Sequence, residues 1–101
     1  MNIILSEDFK TYQKKKNFSS VTVVSHSTGG SCCKALVSKV VIGEPATSLE
    51  NFNIFNDQDL TFYINKSLKL ENTLTFTYDK MLGRELIEMH GYVIQRSCDL
   101  A

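Results

Sequence analysis

Ser20-Val21-Thr22-Val23-Val24-Ser25-His26-Ser27-Thr28-Gly29-Gly30-Ser31-Cys32-Cys33-Lys34-Ala35-Leu36-Val37-Ser38-Lys39-Val40-Val41-Ile42 is the stretch that decides the fold. Val21 and Val23 alternate with polar neighbours. Beyond the glycines, Leu36, Val40 and Ile42 alternate with Ala35, Val37 and Val41. A period of two in β-branched residues means strands with two distinct faces. The glycines between the two runs mark a turn, because glycine adopts positive φ without steric penalty.

The same signature recurs downstream at Asn51-Phe52-Asn53-Ile54-Phe55, Leu60-Thr61-Phe62-Tyr63-Ile64 and Thr73-Leu74-Thr75-Phe76-Thr77-Tyr78. Asn56-Asp57-Gln58-Asp59 reads as a turn between the first two. From Glu85 to Gln95, Leu86, Glu88, His90, Tyr92 and Ile94 alternate with Ile87, Met89, Gly91 and Val93, which favours a strand over a short helix. Lys66-Ser67-Leu68-Lys69-Leu70 fits neither period and reads as a helical turn. Pro45, after Gly43-Glu44, ends the second strand before an exposed loop, since proline has no N–H for a ladder.

Upstream, Ser6 precedes Glu7-Asp8-Phe9-Lys10-Thr11-Tyr12-Gln13-Lys14-Lys15-Lys16, with acids at the start and lysines at the end. That order suits a capped helix and its dipole. Ten residues make a marginal helix alone, so this one is expected to lie on a sheet. The lysines read as its solvated C-terminus rather than as a nucleic-acid patch. The expected class is mainly β with one short N-terminal helix (α+β), a compact β-sandwich or open barrel of six to seven short strands.

The chain has 101 residues, 11 of them basic and 11 acidic, so its formal charge is zero. That length suits one domain spanning residues 1–101. Neutrality offers no field for phosphate backbones or anionic lipid, so neither nucleic acid nor membrane is an expected partner. No uninterrupted apolar run exceeds three residues, Val40-Val41-Ile42 among them, against about 20 needed to span a bilayer. Met1-Asn2-Ile3-Ile4-Leu5-Ser6-Glu7-Asp8 lacks a basic leader, and three cysteines are an odd count. Both point to a cytoplasmic protein with free thiols.

The chemistry concentrates on those thiols. Cys32 and Cys33 sit side by side in a turn where Gly29 and Gly30 expose amides and Lys34 adds a cation. Both features favour thiolate, the form that binds metal or attacks. Adjacent strand residues point to opposite faces, so the pair does not easily grip one metal. A vicinal disulfide would be strained and labile. Cys98, in Arg96-Ser97-Cys98-Asp99, is a candidate third ligand or resolving thiol. No C-x-x-C or Cys/His spacing indicates structural zinc. His26 and His90 are weaker candidates for ligands or a proton relay, and Glu85 and Glu88 read as solvated. Phosphate-loop, dinucleotide and serine-hydrolase fingerprints are missing, leaving hydrolase and transferase readings without support.

The layout resembles the HesB-like family, the fold of the A-type iron–sulfur cluster carriers. The resemblance is carried by Ile3-Ile4-Leu5-Ser6 leading into a helix, by Thr28-Gly29-Gly30-Ser31-Cys32-Cys33, and by Gly43-Glu44-Pro45 followed by Asp57. Tyr63-Ile64-Asn65-Lys66-Ser67-Leu68 and the cysteine near the C-terminus add to it. In that family a loop cysteine is followed after some 63 to 65 residues by Cys-Gly-Cys. Here Cys33 and Cys98 enclose 98 − 33 − 1 = 64 residues. The chain departs from the pattern after Cys98, where Asp99-Leu100 stands in place of Gly-Cys. The doubled Cys32-Cys33 is similar to a subgroup with a vicinal Cys-Cys or selenocysteine-Cys pair.

The resemblance implies iron or an iron–sulfur cluster held by Cys32, Cys33 and Cys98, no catalytic turnover, and assembly or recipient proteins as partners. A homodimer would supply four thiolates from Cys33 and Cys98 of two copies. The alternative is a thiol-redox or metalloid site at Cys32-Cys33 without a cluster. A third reading is an interaction module with incidental thiols.

Overall fold

The computed structural model describes residues 2–29, 34–46 and 48–96. Their order is β1 (Asn2–Leu5), α1 (Glu7–Lys16), β2 (Ser20–Gly29), β3 (Lys34–Ile42), a 3-10 turn (Leu49–Asn51), β4 (Phe52–Asp57), β5 (Leu60–Asn65), β6 (Lys69–Met81), β7 (Arg84–Val93) and β8 (Gln95–Arg96). The mainly β class with one helix is as expected. Eight strands replace the expected six to seven, because Asn2–Leu5 and Gln95–Arg96 also pair. Lys69-Leu70 is not a helical turn but the start of β6, held by pairing with Val93 and Tyr92. Partners elsewhere in the chain set that conformation, not local periodicity.

Two sheets form, β1-β6-β7 and β4-β5-β2-β3-β8. The pairings are antiparallel except for β1 with β6 and β2 with β5. β3 ends at Ile42 because Gly43 takes φ +106° and donates its N–H to the Ser20 carbonyl at 2.9 Å. The strand therefore ends three residues before Pro45, although the loop beyond is largely exposed, as expected.

The inner faces of the two sheets meet across Phe62 and Phe76, whose ring centroids are 4.8 Å apart. α1 closes the core by setting Phe9 against Phe76 at 5.8 Å and against Phe18 at 6.0 Å. Phe9, Phe62 and Phe76 are fully buried, together with Val23, Ile64 and Leu74. The helix starts where the Phe9 N–H donates to the Ser6 hydroxyl at 3.1 Å. It stops at Asn17, whose left-handed φ of 56° turns the chain toward Phe18.

β6 and β7 keep register from Met81↔Arg84 to Thr75↔His90, then slip, because Leu70 pairs with Tyr92. Residues 71–74 thus lie across from Gly91 alone, at φ +103°. A Cβ at Gly91 would run into the Thr73 carbonyl oxygen.

Tyr12 stacks on Tyr78 with centroids 4.2 Å apart and the rings 12° from parallel. The Glu85 carboxylate, reinforced by burial, pushes the Tyr12 hydroxyl from 10.0 to about 12. A folded-state value above the unfolded one gives stability that is present below pH 10 and lost as pH rises toward 12. Tyr12→Phe should flatten this alkaline loss in urea titrations repeated across that window. Phe76→Ala should lower unfolding free energy by about 3–5 kcal/mol in the same assay at neutral pH. Gly91→Ala combines a clash with a positive φ, and should leave little folded protein by circular dichroism.

Candidate functional site

β2 and β3 form a ladder of nine pairs from Val21↔Ile42 to Gly29↔Lys34, so residues 30–33 are bracketed in sequence by two paired strands. On the other side of β3, β8 pairs antiparallel, with Ala35 opposite Arg96 and Leu36 opposite Gln95. β8, the last described strand, therefore lies beside the start of β3. Gly29 and Lys34 occupy the last rung. Gly30, Cys32, Cys33 and Cys98 lie outside the described residues, as does the side chain of Lys34.

What brings β8 there is Tyr92. Its hydroxyl accepts a hydrogen bond from the Ser38 N–H at 3.1 Å, joining the end of β7 to β3 across the two sheets. Ile94 follows, and β8 begins one residue later. Sequence reading counted Tyr92 only as one face of an alternating strand. Its polar tip on a half-buried ring was the available signal, since such a hydroxyl normally finds a partner.

The weaker candidates are dispersed. His26 is exposed on β2 opposite Val37, while His90 is exposed on β7 with its Nε2 3.4 Å from the Thr77 hydroxyl. They belong to different sheets. Glu85 and Glu88 differ by an odd number of residues, so they project from opposite faces of β7 and form no acid–base pair. Among the described residues, no three histidine, cysteine or carboxylate side chains gather as a metal site. A concavity of about 640 Å³ runs between the edges of β3 and β7 and includes Lys39, Glu88 and His90.

The model of the CC/Se motif containing family matches residues 1–92. The chain belongs to that family. The match covers the Gly29-Gly30-Ser31-Cys32-Cys33 turn and stops short of Cys98. The fold is shared with a crystal structure of IscA with its [2Fe-2S] cluster. The TM-score is 0.56 at 12% identity, over 88% of this chain and 81% of that one. At that identity the likeness shows the arrangement of elements, which agrees with the HesB-like fold expected above. No curated protein sequence matches the chain. Among the described residues, no helix is long and apolar enough to cross a membrane.

Tyr92→Phe keeps the ring and removes the acceptor. It should speed hydrogen exchange at the Ser38 amide and cost about 0.5–1.5 kcal/mol, both measured against wild type.

Proposed function

We propose that the chain binds iron or an iron–sulfur cluster through thiolates of Cys33 and Cys98, with Cys32 as the adjacent thiol, and passes this cargo to other proteins. The β3–β8 register carries the reading. Ala35 opposes Arg96 in that antiparallel ladder. Cys33 stands two residues before Ala35 in sequence and Cys98 two residues after Arg96, so the last described pair of that ladder is equally near both thiols along the chain. The shared fold of IscA with its [2Fe-2S] cluster supports the choice of cargo.

Two thiols from one chain leave a cluster short of its usual four. A homodimer that brings two such pairs together would complete the set, with each copy contributing Cys33 and Cys98. Gly29 and Gly30 would keep the turn open, and the Lys34 ammonium would favour thiolate.

A second reading is favoured by the family itself, whose description is drawn from the Cys-Cys or selenium motif and not from a C-terminal cysteine. In that reading Cys32-Cys33 acts alone, as a redox or metalloid-binding pair, and Cys98 resolves an oxidised thiol.

The deciding experiment is anaerobic reconstitution with iron and sulfide, followed by assay of bound iron, acid-labile sulfide and the visible spectrum. Wild type should hold stoichiometric iron and sulfide, and Cys33→Ser and Cys98→Ser should each lose them. No cluster in wild type, with two fast-reacting thiols that survive in Cys98→Ser, would overturn the carrier reading in favour of the vicinal pair.

A further inference from the structure

The free edge of β7 is self-complementary, and we infer that it pairs with β7 of a second copy about a two-fold axis at Leu86. The three-stranded sheet has β1 and β7 as its edges. The β1 edge is tied to the β4–β5 turn, where the Gln58 side-chain amide donates to the Ile3 carbonyl at 3.0 Å. Among the described residues, β7 has no such cover along its first half. It meets β3 at Tyr92, and from there toward Glu85 the two strands border the groove of about 640 Å³.

The hydrogen-bonding pattern settles which backbone groups are free. Met81 and Arg84 flank a two-residue turn, Leu82-Gly83, and so form a hydrogen-bonded pair. Alternation then turns the N–H and C=O of Arg84, Leu86 and Glu88 toward β6. Those of Glu85, Ile87 and Met89 point away from β6. An exposed edge with unpaired groups and no proline, lysine or bulge before Gly91 is a template for another strand.

Charge selects both the partner and the register. A two-fold axis at Arg84, Glu85 or Glu88 would set like charges against each other. An axis at Leu86 puts Arg84 of each copy opposite Glu88 of the other, twice, and Leu86 opposite itself. These are non-hydrogen-bonded pairs, in which side chains approach most closely. Glu85 and Ile87 then face each other as hydrogen-bonded pairs, using the outward groups. Charges that normally protect an edge thus become attractive in this one order.

The exposed apolar residues of the hairpin lie at the same end. Leu82 is 100% exposed with a left-handed φ of 51°, where glycine or asparagine is usual, and Met81 and Leu86 are 58% and 45% exposed. In this register Leu82 comes beside His90 of the second copy.

This pairing does not depend on metal. Lys34 and Arg96, the described residues next in sequence to Cys33 and Cys98, belong to β3 and β8 and not to the β7 edge, so the contact about this axis does not include the thiol-bearing segments' described neighbours. The pairing is therefore tested on iron-free protein with Cys32, Cys33 and Cys98 all replaced by serine, which separates it from cluster binding.

Sedimentation equilibrium from about 1 μM to about 1 mM should show a monomer–dimer equilibrium for this parent. Arg84→Glu and Glu88→Arg, each checked for folding by circular dichroism, should each raise the dimer dissociation constant about tenfold or more. The double exchange should restore it. Mild oxidation should cross-link Leu86→Cys but not Glu88→Cys, whose copies would be four residues out of register. A parent that stays monomeric throughout, or a dimer unmoved by the single exchanges, would overturn the assignment.

Discussion

Gly91 is the residue on which the arrangement of the two sheets turns. Its positive φ and the closeness of the Thr73 carbonyl allow β6 to spend residues 71–74 against a single position of β7. The bulge shifts the ladder, yet Tyr92 and Val93 still pair with Leu70 and Lys69, so β7 stays in the three-stranded sheet to its end. With it, Tyr92 reaches the Ser38 amide, and two residues after Val93 the chain pairs with β3 in the other sheet. One backbone conformation therefore decides where the last described strand lies.

The core explains why this crossing is stable. Phe76 touches Phe62 from the opposite sheet and Phe9 from the helix, so one fully buried ring joins all three layers. Large-to-small changes at such a site lose transfer free energy and leave a cavity that cannot collapse. Phe62 and Phe76 were legible as strand residues, because each sits in an alternating run. Their meeting was not, because alternation assigns a residue to a face without saying which face lies across from it.

The same limit governs other elements. Phe9 and Tyr12, three apart on a short helix, foretold a face that needs a sheet, and α1 does lie on β6 through Phe76 and Tyr78. β1 and β8 escaped because four-residue and two-residue strands carry too little pattern, and long-range pairing alone reveals them. Lys69-Leu70 misled because the period breaks where β6 bulges against Gly91, and an irregular ladder looks like no ladder in sequence. Of the thiol site, the Gly-Gly turn and the 64-residue separation of Cys33 and Cys98 were visible from the start. The Tyr92–Ser38 bond was not, because it links residues 54 apart in sequence through a side chain that reads as ordinary strand.

β7 ends up with two different halves. Toward Val93 its neighbours are within the chain, with Tyr92 bonded to β3 and β8 following directly. Toward Arg84 its outward backbone groups have no partner among the described residues, and one face of the strand carries Arg84, Leu86 and Glu88 in turn. A single strand can hold both roles because the bulge at Gly91 separates them mechanically. The step of the chain from β7 into β8 does not require the first residues of β7 to move. Contacts made at the hairpin end can therefore form without disturbing the β3–β8 pairing. Chemistry beside the β2–β3 turn can likewise proceed without remaking that edge.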